Sequence, residues 1–520
     1  MPFVDLNLNK VQPFEVQDFD VVIIGAGAAG ILLSVKLSSA GQKVLLIESG
    51  HFNIDEEKQK LNEVEQSGKE LKSAIWGRKR AIGGTTLAWG GQSLPFSKID
   101  FEKREWMENS GWPLNYEDLE PYYKEANVFM KIDQLNYRGD IFNRTKIEKP
   151  LIDESLLDYH VSKWAKQPNF RLMYNEILEK KVTVLYNAQL TKIYFDENKN
   201  IEKISVSDFK KQTYEYNVSK LILATGTIES IRILLTNNIG DNSPNSWLGK
   251  CFMEHPCIEA GIVTQSNSYK LQKLFNTHLW KGNKYSIRLS LSEEVQNDEN
   301  LLNCSAGIMF NTLSDSPYAA LKKFLSSPDI KSFYIITKNL KSLFFGAKAF
   351  VIHKFYFKLK TENKLVLMAE QEPLRSSYIF LGDTKDEFGI QRAKIHWDIT
   401  HRTWNTVIKT AELCKVEIER LKLGEVYLHK KMQILNSSWK QELSDVNHHM
   451  GGCKMSAISS EGVVDKNLQV WGISNLFICS CAVFPTSSHS NPTLTLLALA
   501  SRLSKTILSE IGQKNLKKNL

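Results

Sequence analysis

A glycine-rich segment near the amino terminus has the residue types and the spacing of a nucleotide-binding turn. Gly25, Gly27 and Gly30 form a GxGxxG pattern that begins where the apolar run 21–24 gives way to helical periodicity. The first glycine permits a tight turn, the second lets the backbone approach a pyrophosphate, and the third allows close packing of helix on strand. The free N–H groups at the start of the helix favour phosphate oxygens. This chemistry is the binding of a dinucleotide, with FAD and NAD as open alternatives.

An acidic residue follows at the distance that ribose binding requires. Glu48 ends a second apolar strand, residues 43–47, and lies 18 residues beyond Gly30, near the expected spacing of about 20. A carboxylate at this spacing bonds a ribose hydroxyl and disfavours a 2′-phosphate. Strand, turn, helix and acid occur together, so a simple glycine-rich turn is the weaker interpretation.

A second group of residues that could do chemistry lies near the carboxyl terminus. The loop 447–456, NHHMGGCKMS, carries His448 and His449. An isolated imidazole in such a loop is more often packed or exposed than catalytic. These histidines and Cys453 lack the paired spacing of a structural zinc site, so no metal site is predicted. Further on, a helix that begins near Pro492 offers free N–H groups to an anion or an electron-rich ring.

Both clusters are expected to face a nucleotide, so the elements that position them must meet. The cofactor domain is therefore predicted to combine residues 1–264 with residues 441–520. Between them, residues 265–440 show strand patterns such as KLVLMAE and AKIHWDI and a long helix over about 402–421. This middle block is predicted to be a separate substrate domain, with further insertions of that domain around 125–180.

Composition sets broad limits on the class of protein. The chain has 520 residues, of which 42% are apolar and 24% charged, enough for two or three globular domains. The amino terminus has no basic start followed by an apolar stretch, and no apolar run approaches about 18 residues. These features predict residence in the cytoplasm. The seven cysteines form no CxxC pair, which favours reduced thiols over a disulfide framework.

The net charge of +8 is concentrated in one segment. Residues 321–360 carry nine lysines against one acid, Asp329, together with nine aromatic residues. One interpretation is a pair of helices with a lysine-rich face in solvent. The other is a peripheral element that contacts an anionic membrane at its inner face, where a quinone or a lipid-linked glycan would be met. Nucleic acid is not expected as a partner, since no binding motif accompanies the charge.

Taken together, the motifs resemble the glucose-methanol-choline (GMC) flavoenzyme family almost from end to end. The segments that carry the resemblance are the dinucleotide turn, RAIGGTTLAWGG (80–91), GWPLNYEDLEPYY (111–123), LILATGTIES (221–230), LGKCFMEHP (248–256), HxxGxxxM from His448 to Met455, and NPTLTLLALA (491–500). GGTTLAWGG and NPTLT are similar to the pyranose and sugar or polyol dehydrogenase branch. The resemblance implies an α/β Rossmann-like FAD-binding domain and an α+β substrate-binding domain with an antiparallel sheet, an architecture like that of p-hydroxybenzoate hydroxylase.

FAD is the cofactor that this resemblance implies. Ala88 stands where some sugar-oxidising members attach flavin to a histidine, so the FAD is expected to be non-covalent. No second glycine-rich nucleotide turn is present, so electrons are expected from the substrate. The residues that the resemblance assigns to the cofactor are Gly25, Gly27, Ala28, Ala29, Gly30, Glu48, Gly83, Gly84, Thr85, Trp89, Gly90, Gly91, Ala224, Pro492 and Thr493.

The implied activity is oxidation of a C–OH group of a small sugar, polyol or other alcohol. In the family, a histidine takes the hydroxyl proton while hydride passes to flavin N5, and a second His or Asn holds the oxygen. His448 matches the first position and Asn491 the second, with His489 as the rival because some members carry SSH there. A neutral imidazole accepts a proton at pH 7, and an amide donates to a developing alkoxide. His449 is expected to support the loop.

Alternatives remain open at this point. The same family includes lyases in which FAD takes no part in redox chemistry, and sterol or alcohol oxidases that use oxygen. The electron acceptor, whether oxygen, a quinone or another compound, is not specified by the motifs. Two departures from the family pattern are Ser480, where an aspartate is usual, and Glu254, where Asp is frequent.

Overall fold

The computed structural model describes residues 3–8, 19–145, 148–240, 246–264, 268–313, 316–355 and 357–518. Its strands are β1 (Phe3–Asp5), β2 (Val21–Ile24), β3 (Val44–Ile47), β4 (Glu65–Gly68), β5 (Gln92–Ser93), β6 (Leu157–Trp164), β7 (Thr183–Tyr186), β8 (Gln189–Phe195), β9 (Ile201–Ser207), β10 (Thr213–Asn217), β11 (Leu221–Leu223), β12 (Cys257–Thr264), β13 (His278–Trp280), β14 (Asn283–Leu291), β15 (Cys304–Thr312), β16 (Thr361–Ala369), β17 (Tyr378–Lys385), β18 (Gln391–Trp397), β19 (Glu425–Leu428) and β20 (Leu476–Ile478). The α-helices are α1 (Ala28–Ser39), α2 (Glu56–Gln59), α3 (Ser73–Trp76), α4 (Tyr116–Phe129), α5 (Asp140–Thr145), α6 (Phe170–Lys181), α7 (Thr227–Thr236), α8 (Ser268–Phe275), α9 (Glu293–Asp298), α10 (Pro317–Ser326), α11 (Ile330–Lys338), α12 (Leu340–His353), α13 (His401–Arg420), α14 (Trp439–Glu442) and α15 (Thr493–Lys518).

A six-stranded parallel sheet unites the two ends of the chain. Its strand order is β1-β7-β3-β2-β11-β20, and every neighbouring pair runs parallel. β2, β3, β7, β11 and β20 are buried along their whole length, which explains why their sequences are continuous apolar runs rather than alternating ones. Because the carboxyl ends of parallel strands meet at one edge, the loops that follow β2, β3, β11 and β20 come together there.

An eight-stranded antiparallel sheet forms the second layer. It has the order β19-β12-β16-β15-β14-β6-β5, with β13 paired to β14. Helix α13 packs on one face, and its apolar side chains recur three or four residues apart, as a helix half-covered by a sheet requires. Strands from 92–93, 157–164 and 257–264 join those from the middle block. The boundaries expected from the sequence at 264 and 440 stay a prediction.

Smaller elements connect the layers. Two three-stranded sheets have the orders β10-β9-β8 and β17-β18-β4. Helix α4 begins after Asn115, whose side chain accepts a hydrogen bond from the Asp118 N–H at 2.9 Å, as its capping sequence predicts. Helix α15 starts directly after Pro492 and packs against α1 and α4.

The basic segment forms three helices where a pair was expected. Asp329 caps α11 through the Ser332 N–H, at 2.9 Å. Asn339 follows the last residue of α11 and directly precedes α12. The helical pattern over residues 330–353 is therefore divided into two helices. Across the described ranges, no helix combines the length and the apolar character needed to cross a bilayer.

Candidate functional site

An open cleft lies along the carboxyl edge of the parallel sheet, with about 1320 Å³ of space that includes the solvent at its mouth. Its walls come from the turn after β2, from Glu48 after β3, from Thr225 and Gly226 after β11, and from 479–481 after β20. His448 lies in the same wall. The nucleotide turn and the carboxyl-terminal cluster therefore share one cavity, at the place where ligands bind in open α/β sheets.

The glycines of the turn differ in what surrounds them. A Cβ on Gly30 would lie 1.9 Å from the Gly25 carbonyl oxygen, and one on Gly25 would lie 2.6 Å from that of Ala224. Gly25 also has a φ of +98°, which a side chain disfavours. A Cβ on Gly27, in contrast, would meet no atom within 4 Å, although this residue lines the cleft. The turn thus leaves open space at the residue that must approach a pyrophosphate, and the residues present fit FAD.

Glu48 is fixed by the turn itself. Its two carboxylate oxygens accept the N–H groups of Ala26, at 2.9 Å, and Gly50, at 2.8 Å. Burial raises the pKa of this carboxyl, against the effect of those N–H donors and of Arg80. A carboxylate offers about four lone-pair sites, so the oxygens retain capacity for a ribose hydroxyl in the cleft.

Two arginines of the segment before the glycine-rich loop reach the cleft. Arg80 is buried and donates to Glu229 and Asn62, each at 2.8 Å, which ties the loop to α7. Arg78 donates to the carbonyl oxygens of Ala74 and Asn62 in the described part of the chain. Burial, with repulsion from Arg80, lowers the pKa of Arg78 to about 9. Sequence reasoning missed this cation, although GRKR (77–80) ends at the first residue of the quoted segment 80–91.

Most of the residues predicted to bind the cofactor line the cleft. They are Gly25, Gly27, Ala28, Ala29, Glu48, Gly84, Thr85, Trp89, Ala224, Pro492 and Thr493. Gly30 lies beneath the turn, in the packing role expected of it. Gly83, Gly90 and Gly91 are outside the cleft wall. Gly83 donates its N–H to the Ala26 carbonyl at 2.8 Å, and the Gly91 carbonyl accepts from Ala165 at 3.0 Å.

Three polar side chains contact His448, two at its ring and one at its backbone N–H. Its Nδ1 lies 2.9 Å from His255 Nδ1, and its Nε2 lies 3.2 Å from Asn491 Nδ2. The His448 N–H donates to both oxygens of Glu254, each at 2.8 Å. Both the backbone and the ring are therefore held in place.

The hydrogen bonds determine which ring nitrogen carries hydrogen. His255 Nε2 lies 3.1 Å from the Ser487 carbonyl oxygen, which can only accept, so this nitrogen is the donor. In a neutral ring the Nδ1 of His255 is then an acceptor, and the facing Nδ1 of His448 must donate to it. This arrangement leaves His448 Nε2 unprotonated, and its lone pair accepts from the Asn491 amide.

The electrostatics keep these rings neutral. Burial lowers the pKa of His448 well below 6.5, and the neighbouring His255 and His449 lower it further. Burial also lowers the pKa of His255 to about 4. Burial raises the pKa of Glu254 to about 8, despite the N–H groups of His255 and His448 that favour its charged form. At pH 7 the carboxyl is mostly protonated, so it supplies little negative charge that would stabilise an imidazolium.

The other histidines of the cluster point elsewhere. His449 Nε2 lies 2.9 Å from Ser73 Oγ, and its carbonyl accepts from Thr227 at 2.6 Å. His489 stacks on His160, with ring centroids 4.9 Å apart. The structure therefore brings Asn491, and not His489, against His448. The departure Ser480 forms part of the cleft wall and its Oγ accepts from Ser230 at 3.3 Å.

The loop that carries Asn491 is anchored by distant residues. Asp100 accepts from Ser488 Oγ at 2.8 Å, and its carbonyl accepts from Thr486 at 2.7 Å. The Gln371 N–H donates to Ser487 Oγ at 3.0 Å. The loop follows β20 of the parallel sheet, and these contacts join it to segments that follow β5 and β16 of the antiparallel sheet, so the position of Asn491 depends on both layers.

His255 is the residue at the site that sequence reasoning did not assign. It is fully buried and lies inside LGKCFMEHP, a segment quoted for the family resemblance without a role for its histidine. The signal that could have found it is an imidazole directly after an acidic residue in a segment already matched to a flavoenzyme family.

Comparison with known proteins agrees with these features. Residues 373–500 match the GMC oxidoreductase family, and residues 20–54 match the FAD binding domain. The fructose dehydrogenase large subunit of Gluconobacter japonicus is 23% identical, over 95% of this chain and 98% of its own length. A long-chain-alcohol oxidase of Arabidopsis thaliana is 21% identical, over 95% and 68%.

Solved structures show the same fold. Pyridoxine 4-oxidase from Mesorbium loti superposes with a TM-score of 0.57 at 14% identity, covering 94% of this chain and 99% of its own. A variant of formate oxidase from Aspergillus oryzae gives 0.58 at 15% identity, covering 96% and 99%. The family resemblance, the two-part fold class and FAD as cofactor are confirmed.

Proposed function

Because this chain is an FAD-dependent oxidoreductase of the GMC family, we propose that it oxidises a C–OH group of a small sugar, polyol or other alcohol. The observation that carries the proposal is the hydrogen-bond chain from the Ser487 carbonyl through His255 to His448. This chain leaves an unprotonated Nε2 facing Asn491 Nδ2 at 3.2 Å. A substrate hydroxyl that replaces this hydrogen bond and lies beside both atoms would meet one acceptor, Nε2, and one donor, Nδ2.

His448 and Asn491 have separate roles in the proposed reaction. Bound FAD would supply the acceptor for the hydride that leaves the substrate carbon. His448 Nε2 accepts the hydroxyl proton, and the positive charge formed on its ring is shared with His255 through the Nδ1–H. Asn491 Nδ2 donates to the oxygen as negative charge develops there, and it cannot compete for the proton.

The cofactor contacts follow from the cleft. We propose that the open side of Gly27, the start of α1 and the cationic Arg78 hold the pyrophosphate, and that Glu48 bonds the ribose. The start of α15 at Thr493 would face the flavin end of the cleft, beside His448. Since Ala88 offers no side chain for covalent attachment, the proposal is a dissociable FAD.

Anaerobic addition of candidate substrates tests the function. We expect sugars, polyols or simple alcohols to bleach the flavin absorbance of the purified enzyme in the absence of oxygen, because electrons come from the substrate. Consumption of a substrate while the flavin stays yellow would favour the lyase alternative instead. Mixing the reduced enzyme with oxygen or with a quinone then distinguishes an oxidase from a dehydrogenase, a choice the site geometry leaves open.

We also propose that α10, α11 and α12 contact an anionic membrane from its cytoplasmic side. Leu325, Ile330 and Phe344 in these helices are 77%, 89% and 74% exposed. Exposed lysines on the same helices are Lys322, Lys323, Lys331, Lys338, Lys341 and Lys348. Exposed apolar side chains beside lysines suit a headgroup region, where anionic lipid attracts the charge and acyl chains cover the apolar groups.

Vesicle sedimentation tests this contact. At low salt we expect the enzyme to sediment with vesicles that contain anionic lipid and to remain in solution with zwitterionic ones. Changing Leu325, Ile330 and Phe344 together to serine should weaken binding at least about tenfold, since three apolar side chains lose their burial. Leu435→Ser is the matched control, because Leu435 is 88% exposed but lies outside these helices. Absence of binding to anionic vesicles would contradict the proposal.

A further inference from the structure

The face of the antiparallel sheet that is turned away from α13 is polar. His160 on β6 lies directly opposite Arg288 on β14, so the two side chains share this face as neighbours. Gly307 on β15 is on the other side of Arg288, and a Cβ there would lie 3.4 Å from the guanidinium Nε. The Arg288 side chain therefore lies beside this glycine, within van der Waals reach of a Cβ placed there.

Arg288 is half-buried and has no counter-ion in the described part of the chain. Among the residues that the structure describes, none accepts a hydrogen bond from it or pairs with its charge, and burial lowers its pKa. The acids on the same face are already engaged. Asp158 pairs with Arg138, and Glu259 pairs with Lys364 at 2.9 Å. A guanidinium withdrawn from water without a carboxylate is costly, and such a group usually marks the place of an anionic ligand.

Three further polar atoms beside Arg288 lack partners. Within the described residues, His160 Nδ1, His489 Nδ1 and Ser305 Oγ are buried without a hydrogen bond. Ser305 is two residues before Gly307 on the same strand, and His489 stacks on His160. Burial, with a contribution from Arg288, lowers the pKa of both imidazoles, so both are neutral at pH 7. Unsatisfied buried polar atoms in a native protein require an explanation, and a shared ligand satisfies all of them.

This cluster adjoins the catalytic atoms. His489 is two residues before Asn491, which limits their Cα separation to about 7 Å. His489 also acts electrostatically on His255, the ring that contacts His448. His489 of this cluster and Asn491 therefore occupy neighbouring positions of one loop.

We propose that the substrate carries an oxyanion group, a carboxylate or a phosphate, which Arg288 binds beside His160, His489 and Ser305 while His448 and Asn491 hold the hydroxyl that is oxidised. This inference rests on the proposed function and narrows its substrate class to hydroxy acids or sugar phosphates. Arg288 supplies the charge, and the neutral imidazoles and the hydroxyl supply further hydrogen bonds.

Two sets of substrates, each with a shared carbon skeleton and different charge, test this inference on the FAD-loaded enzyme. Anaerobic flavin reduction is measured with glycerol, glycerate and glycerol 3-phosphate, and with glucose, gluconate and glucose 6-phosphate. We expect the acid or the phosphate of at least one set to exceed the neutral compound in kcat/KM by about 10- to 100-fold. Whether the acid or the phosphate is preferred distinguishes the two sources of the oxyanion. Equal rates for neutral and anionic members would overturn the inference.

Variants at position 288 test whether Arg288 causes the preference for anionic substrates. Arg288→Met should bring the anionic-to-neutral ratio of kcat/KM close to one, chiefly through KM, and Arg288→Lys should restore part of it. Lys284→Met removes a positive charge about 13 Å away on the same strand and should leave the ratio unchanged. A preference that persists in Arg288→Met, in protein that retains its flavin spectrum, would contradict the assignment.

Binding of an unreactive anion separates this inference from the proposed function. Succinate has no hydroxyl to oxidise, so its binding, measured by calorimetry, depends only on the oxyanion site. We expect succinate or inorganic phosphate to bind the wild-type enzyme at least about tenfold more tightly than Arg288→Met. If no alcohol reduces the flavin but this difference appears, the proposed oxidation fails and the anion site stands. If alcohols reduce the flavin and neither anion binds, the reverse holds.

Discussion

Changing His448 to alanine is expected to leave FAD bound and to slow anaerobic flavin reduction by about 10²- to 10⁴-fold, the range for loss of a general base. The ring is the only part removed. The backbone N–H that donates to Glu254 remains, so the loop should keep its position. Stopped-flow absorbance with a saturating substrate measures the rate, and the flavin absorbance of the purified variant measures retention of the cofactor.

His449→Ala is the matched control for this variant. It removes the adjacent imidazole, whose Nε2 contacts Ser73 rather than the open side of the cluster. We expect its effect on the rate to be much smaller, since His449 has no contact with Asn491. An unchanged rate in His448→Ala, or an equal loss in both variants, would discard His448 as the base.

The residues predicted for the dinucleotide turn and the ribose lie in one local segment of the sequence. Gly25, Gly27, Gly30 and Glu48 are close in sequence, and one strand, turn and helix bring them together without help from the rest of the fold. The same is true of the start of α15. Where a site is built from one continuous segment of the chain, the residue types and their spacing are enough to predict its geometry.

Contacts between distant segments could not be predicted in this way. His255 and His448 are far apart in the chain, and no local pattern indicates that their Nδ1 atoms lie 2.9 Å apart. His255 donates to the main-chain carbonyl of Ser487. Every residue type has such a carbonyl, so this contact leaves no signal in the sequence. The glycine-rich loop shows a related limit, because Gly90 and Gly91 serve to position the loop rather than to line the cleft.

For the antiparallel layer, the sequence predicted a sheet but not which strands form it or how they pair. Strand patterns between 265 and 440 indicated a sheet, but β6 and β12 come from outside that block, and β6 supplies His160. The pairing of β6 with β14 places His160 opposite Arg288, and register between strands so distant in sequence is set by tertiary packing. The substrate specificity that we propose therefore depends on the part of the chain where periodicity carries least information.

Changing Asn491 to alanine is expected to reduce kcat by about 10²- to 10³-fold, the cost of losing one donor to a developing oxyanion. The amide is the group that faces His448 Nε2, at 3.2 Å, so its loss removes the donor on the open side of the base. Measurement of kcat and KM under anaerobic conditions, with flavin content as the check on folding, gives the result.

His489→Ala separates the two candidates that the sequence left open. His489 stacks on His160 and makes no contact with His448 in the described structure, so its loss should raise KM more than it lowers kcat. Negative charge develops only at the hydroxyl oxygen, so only a donor at that oxygen stabilises the transition state more than the ground state. A residue that binds another part of the substrate stabilises both states equally. A large fall of kcat in His489→Ala, with little change in Asn491→Ala, would exchange the two roles and place the alkoxide donor two residues earlier in the loop.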